Sequence, residues 1–147
     1  MAVKIKKVDV WAAELADQPG GLARVLSAMA DAGASLECVI ARRKPDQPGG
    51  GVVFLAPVKG KKAEAAAAAA GLRRAQDMGT LRVEGDDRPG LGGRMTRALA
   101  DAGINMKGLS AMTMGKKFIA YFGFDRPEDA DQAAAALKKV SSKKTKR

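Results

Sequence analysis

The chain carries one motif twice, seventy positions apart, and this limits it to folds that can be built from two like units. Asp17-Gln18-Pro19-Gly20-Gly21-Leu22-Ala23-Arg24, closing on Ala30-Asp31-Ala32-Gly33, returns as Asp87-Arg88-Pro89-Gly90-Leu91-Gly92-Gly93-Arg94, closing on Ala100-Asp101-Ala102-Gly103. Nine of the seventeen positions from Asp17 to Gly33 are identical in the copy, without a gap. A chain of 147 residues divided this way gives units close to the lower size at which a core is sufficient alone, so each half is expected to lean on the other. Apolar residues make up 46% of the chain but aromatics only 4%, much of the apolar total being alanine, which predicts a thin, helix-rich core.

Hydrophobic periodicity gives the element order. Val3 to Glu14 alternates loosely and is expected to be one strand. Leu22, Val25, Leu26 and Met29 follow helical spacing, with Gly33 placed to cap the helix. The period then changes to two over residues 36–42 and 51–56, a hairpin joined by a segment rich in proline and glycine. An alanine-rich helix over 61–70 and a short strand from Leu72 complete the unit. The second copy repeats this order: strand 80–84, helix 91–102, hairpin 104–112 and 118–124, helix 127–139 with Ala130, Ala133, Ala134 and Leu137 on one face. No last strand follows, so one edge of the second sheet is expected to need a strand from elsewhere. The strand 118–124 is apolar on both faces, and its second face is expected to meet another sheet. The expected division is a first domain over 1–78, a second over 79–140 and a basic, disordered tail over 141–147.

Several chemistries are excluded by what the chain lacks. Without histidine it has neither the commonest general base nor the commonest metal ligand, and one cysteine, Cys38, cannot form an internal disulfide. Cys38 lies in an apolar run and is expected to be a buried, inert thiol. The carboxylates form no paired constellation, Glu128, Asp129 and Asp131 reading as the acidic first turn of a helix, and Gly90-Leu91-Gly92-Gly93 lacks the spacing of a nucleotide loop. No catalytic residue, metal site or cofactor is expected, and the chain is not expected to be an enzyme. With no membrane-spanning run and no signal peptide, it is expected to be cytoplasmic.

Two strand-helix-strand-strand-helix-strand units, each with an Asp-x-Pro-Gly turn before a helix ending in Ala-Asp-Ala-Gly, resemble tandem ACT domains over Val8 to Ala56 and Thr80 to Lys139. The resemblance implies an α+β fold of two ferredoxin-like βαββαβ units, each an antiparallel sheet with helices on one face, the second unit lacking its last strand. It also implies a stand-alone regulatory protein that binds a small ligand, an amino acid, where two domains or subunits meet, forms a homodimer and acts on a separate enzyme or regulator. A glycine-containing turn leading into a helix offers unpaired N–H groups and the positive end of a helix dipole, which suits a carboxylate. The resemblance carries that role onto Gly20, Gly21 and Leu22 and onto Gly90, Leu91 and Gly92. It places Asp17 and Asp87 as acceptors for a ligand ammonium, and Asn105 or Ser35 as the polar residue after the helix that reaches a neighbouring ligand. An ordinary helix-capping turn would also use Asp17 and Asp87.

Charge supplies the alternative. The net charge is +10, and six of the positive residues fall between Lys138 and Arg147, so the basicity is largely a property of the C-terminal end. A basic ferredoxin-like module could bind nucleic acid, since RNA-recognition motifs share the element order. Here, however, Ala120 stands where an aromatic base-stacking residue is wanted, and the basic end alone is expected to be a solvated extension. A protein-assembly module without a ligand is the other alternative.

Overall fold

The computed structural model describes residues 3–142, with side chains up to Val140. It contains two compact units, and they are nested. Residues Asp9–Ala75 form an inserted unit, while residues up to Val8 and from Gln76 onward form an outer unit, so the chain passes between units at Val8–Asp9 and again at Ala75–Gln76. Each unit is built on a four-stranded antiparallel sheet. Both are ferredoxin-like.

The inserted unit runs β2 (Trp11–Ala16), α1 (Gly21–Asp31), β3 (Cys38–Arg43), β4 (Gly50–Ala56), α2 (Lys61–Ala69) and β5 (Arg73–Arg74), after β1 (Lys4–Lys7) has entered the other unit. Its sheet order is β3-β4-β2-β5. Helix spacing puts Val25 and Met29 on the buried face of α1, where they meet Trp11, Ala13, Val53 and Leu55 from alternate positions of β2 and β4. Helix α2 has only alanines to bury, Ala63 and Ala67, which lets it sit close to the same core. Arg74 lies over the Trp11 ring, 5.6 Å from its centroid, at the β5 edge.

The outer unit runs β6 (Gly79–Asp86), α3 (Leu91–Asp101), β7 (Gly108–Met114), β8 (Lys117–Phe124) and α4 (Pro127–Ser142), with sheet order β1-β6-β8-β7. Leu81, Val83, Ala120, Phe122 and Phe124 face Leu91, Met95 and Leu99 of α3 and Ala130, Ala133 and Leu137 of α4. The Gly79 backbone runs so close to α4 that a Cβ there would stand 2.6 Å from that of Ala130. On the opposite face of the sheet Tyr121 is only 7% exposed, and its hydroxyl accepts the Arg82 Nε–H at 3.1 Å while Arg82 also bonds Glu84 at 2.6 Å. The Arg82 hydrogen bond, reinforced by its charge, holds the Glu84 carboxyl below the usual carboxylate range.

The main departure from the sequence reading is at the N-terminus. The single strand expected over Val3 to Glu14 is two strands in two different sheets: β1 pairs antiparallel with β6, from Lys4 opposite Glu84 to Lys7 opposite Leu81, whereas β2 pairs with β4 and β5. The last strand missing from the second copy is thereby supplied by β1, and residues 3–8 belong with the second half of the chain rather than with a domain over 1–78. Elsewhere boundaries move by a few residues. The expected strand from Leu72 shrinks to Arg73–Arg74, and the one over 104–112 begins only at Gly108, because Ile104 is drawn into the outer core. Cys38 opens β3 half-buried rather than buried. Helix α4 continues through Ser142, two residues into the segment expected to be a disordered tail, and residues 143–147 of that tail lie outside the described residues.

Because Ile5 is the one apolar side chain that β1 packs into the outer core, Ile5→Asp is expected to loosen β1 from β6. Amide exchange should then accelerate along Leu81–Glu84 while β2 and β4 keep their protection, which native-state hydrogen exchange reads directly.

Candidate functional site

Both repeated turns fold alike, for a reason contained in the Pro-Gly pair. Proline presets the first central φ of a type II turn and glycine supplies the positive φ of the second, here +92° at Gly20 and +87° at Gly90. The turns close with hydrogen bonds from Gly21 N–H to Gln18 O and from Leu91 N–H to Arg88 O, both 3.2 Å. Two of the six backbone donors anticipated for a ligand carboxylate, those of Gly21 and Leu91, are thus engaged within the turns. Gly20 and Gly90 act as the helix N-caps, their carbonyls accepting from Arg24 and Arg94 at 3.0 and 2.9 Å, and no side chain caps either helix. The orphan donors of α1 are therefore Leu22 and Ala23, and those of α3 are Gly92 and Gly93. Leu22 and Gly92 were among the sequence candidates; Ala23 and Gly93 were not, although a Pro-Gly turn closing on its fourth residue moves the free amides one position onward.

The two copies differ in the residues that carry and flank these donors. In the first, a Cβ at Gly21 would stand 2.6 Å from the Ala16 carbonyl oxygen, so glycine is required for the close approach of turn and strand, and Leu22 packs toward the core. In the second, Leu91 takes the place of Gly21 and is buried, and Gly92 and Gly93 face open space. Arg94 Nη1 lies within 3.7 Å of where a Cβ at Gly90 would be, which sets a guanidinium beside the start of α3. This arginine was not singled out in the sequence, though it stands in both copies of the motif.

The two aspartates also differ. Asp17 and Asp87 are held by backbone bonds at equivalent places, Asp17 N–H to Gly49 O at 3.0 Å and Asp87 N–H to Lys116 O at 2.8 Å. Asp17 Oδ2 is in an ion pair with Arg43 Nε at 2.9 Å. Seventy positions on from Arg43 stands Thr113, and the exposed Asp87 carboxylate has no hydrogen bond or ion pair among the described residues. Ser35 and Asn105, both exposed, follow the far ends of α1 and α3. Within one unit they are separated from the helix start by eleven residues, roughly 16 Å of helix. The fold does not bring Asn105 to Asp87 of the same unit, nor Ser35 to Asp17.

Among the described residues no cluster of three His, Cys, Asp or Glu side chains could hold a metal ion, and no helix is long and apolar enough to cross a membrane.

Comparison with known proteins bears on the part of the chain that carries the second turn. One ACT domain is found, over residues 79–143, a span that takes in β6 through α4. No curated protein matches the chain. The fold as a whole is similar to that of a Bacteroides thetaiotaomicron protein, with a TM-score of 0.75 at 14% identity over 92% of this chain and 90% of that one. It is also similar to the regulatory subunit of aspartate kinase from Thermus thermophilus in its ligand-free form, with a TM-score of 0.65 at 19% identity over 97% and 98% of the two chains. A third similarity is to aspartate kinase from Synechocystis, where 99% of this chain aligns with 28% of the enzyme at a TM-score of 0.64 and 19% identity.

The contrast at the two turns has a measurable consequence. Gly21→Ala should destabilise the protein, because backbone atoms cannot move away from the new Cβ cheaply. Gly93→Ala, made in open helical surface, should stabilise it by up to about 1 kcal/mol. Chemical denaturation of the two variants beside wild type measures both signs.

Proposed function

We propose that this chain is a stand-alone regulatory protein of two ACT-like units that binds an amino acid at the start of α3 and acts on a separate catalytic partner. The observation that carries the reading is the set of unengaged groups around one turn of the outer unit: the Asp87 carboxylate, the amides of Gly92 and Gly93, and the Arg94 guanidinium beside Gly90. An amino acid has the complementary pair of charges. Its carboxylate would take the amides, the dipole and Arg94, and its ammonium would take Asp87. Asn105 would enter from a second unit, since in its own unit a helix length intervenes. The inserted unit, which shares the motif and the fold, is the second ACT-like domain in this reading. Its site is the weaker one, because Arg43 already neutralises Asp17 and adds a positive charge where an ammonium would go. Support also comes from the ACT match over 79–143 and from structural similarity to a regulatory subunit whose length this chain covers almost completely.

Thermal unfolding against each of the twenty amino acids tests this. A ligand at a hundred times its dissociation constant should stabilise by about 2.7 kcal/mol, a shift of several degrees. Asp87→Ala should remove most of that shift while leaving the unliganded transition in place, and Asp17→Ala should leave the shift largely intact. Absence of a shift with all twenty would defeat the amino-acid reading.

A further inference from the structure

In the outer unit α3 and α4 pack on the sheet face that carries Leu81, Val83, Ala120, Phe122 and Phe124, and the alternate residues of each strand form the other face. The registers set those residues in rows. Lys6, Arg82, Tyr121 and Ser110 cross the four strands in one row, Lys4, Glu84, Ile119 and Met112 in the next, and Asp86, Lys117 and Met114 in a third. The rows divide the face in two. Its β1–β6 side is charged, with Lys4, Lys6, Arg82, Glu84 and Asp86, whereas its β8–β7 side is largely apolar, Lys117 being its one charge because β7 has none. Met112 and Met114 are the two most exposed large apolar side chains among the described residues, at 54 and 68%. A third methionine joins them, since a Cβ on Gly123, which lies on this face, would stand 3.8 Å from the methyl carbon of Met78. An apolar side chain exposed singly is ordinary; Met78, Tyr121, Ile119, Met112 and Met114 together make a strip of the kind that marks a contact surface.

We propose that this face docks an acidic amphipathic helix of a partner protein, with the helix's apolar side on the methionines and Ile119 and its acidic flank toward Lys4 and Lys6. Shape and charge select that occupant. A helix about 10 Å wide covers two strands about 4.8 Å apart, which is the width of the apolar strip, and would add to this face the kind of layer that α3 and α4 form on the other. Alternate residues of a strand recur about every 6.8 Å, close to the roughly 6 Å between helix positions i and i+4, so a helix lying along β7 meets Met112 and Met114 with successive turns. Their unbranched thioethers adapt to the apolar side chains they meet. On the charged side Glu84 is paired with Arg82 and Asp86 with Lys117, which leaves Lys4 and Lys6 as the excess positive charge for a partner's carboxylates. A second copy of this chain on the same face would set Lys4, Lys6 and Arg82 against a like-charged surface, with a net charge of +10 on each chain. A nucleic acid would find no ring to stack on, because Tyr121, the one aromatic residue of this face, is 7% exposed and its hydroxyl is held by Arg82. The inference holds whether or not an amino acid binds at α3.

Methyl spectra of the full chain with isotope-labelled methionine test it. The probe is a synthetic helical peptide of about 18 residues with leucines at i, i+3, i+4 and i+7 and glutamates along one flank. It should shift the methyls of Met78, Met112 and Met114 and leave those of Met29 and Met95, which are buried in the two cores, in place. The same peptide with lysine in place of glutamate should bind at least about tenfold more weakly, a difference that added salt narrows. The double variant Met112→Ser, Met114→Ser, whose changes lie at exposed positions, should bind the acidic peptide about tenfold more weakly, read at the Met78 methyl, and Lys6→Glu should reduce the preference for the acidic peptide. Methyls of Met112 and Met114 that do not move, a lysine peptide that binds as well as the acidic one, undiminished binding by the double variant, or an oligothymidylate that shifts the same methyls at lower concentration than the acidic peptide would each overturn the proposal.

Discussion

The antiparallel pairing of β1 with β6 is the contact on which the architecture depends. It completes the outer sheet with residues that precede the whole inserted unit, and so turns what the sequence presents as two successive units into one unit set inside another. Lys4 to Lys7 must find partners some seventy-five positions away, and their only apolar member, Ile5, joins the core that Phe122, Phe124 and Leu137 dominate. Because the closing strand and the sheet it closes are far apart in the chain, the outer unit is rich in non-local contacts of the kind that form late in folding.

Within that frame the two copies have diverged most at the third element of each unit, and one set of substitutions alters two properties together. Arg43 in β3 occupies Asp17 and, with Arg42, charges the edge of the inserted sheet. Thr113 in β7 leaves Asp87 unengaged, and Met112 and Met114 leave the edge of the outer sheet bare. The turn diverges in the same sense. Gly21 is pressed against the Ala16 carbonyl, whereas Leu91 has moved into the core and left Gly92 and Gly93 open. The unengaged carboxylate, the free helix-start amides and the uncharged strand thus all fall on the outer unit, the part of the chain that matches the ACT domain.

Much of this was legible in the sequence, and the parts that were not have identifiable reasons. Element types came through because the periods are clean, as in Val25 and Met29 on α1 or the alternating Ala120, Phe122 and Phe124 on β8. The break between β1 and β2 leaves only a faint mark in the sequence: the alternation runs on odd positions through Val3 and Ile5, then on even ones at Val8 and Val10, and such a shift of phase cannot belong to one strand with one buried face. The lysines of β1 mark it as an edge strand, but no local pattern could say whose edge. At the site, the Asp-x-Pro-Gly spacing announces the turn, but only the folded backbone shows that its closing hydrogen bonds consume the Gly21 and Leu91 amides. The Asp17–Arg43 pair is a tertiary contact between a turn and a strand twenty-six positions on, and nothing in the spacing of the two residues announces it.

Assigned amide spectra of the full chain, titrated with the amino acids one at a time, test the central claim most directly. The account expects one amino acid to move the resonances of Gly92, Gly93 and the Arg94 side chain at low concentration, with smaller changes at Leu22 and Ala23. Perturbations confined to residues remote from the start of α3, or none with any amino acid, would contradict it.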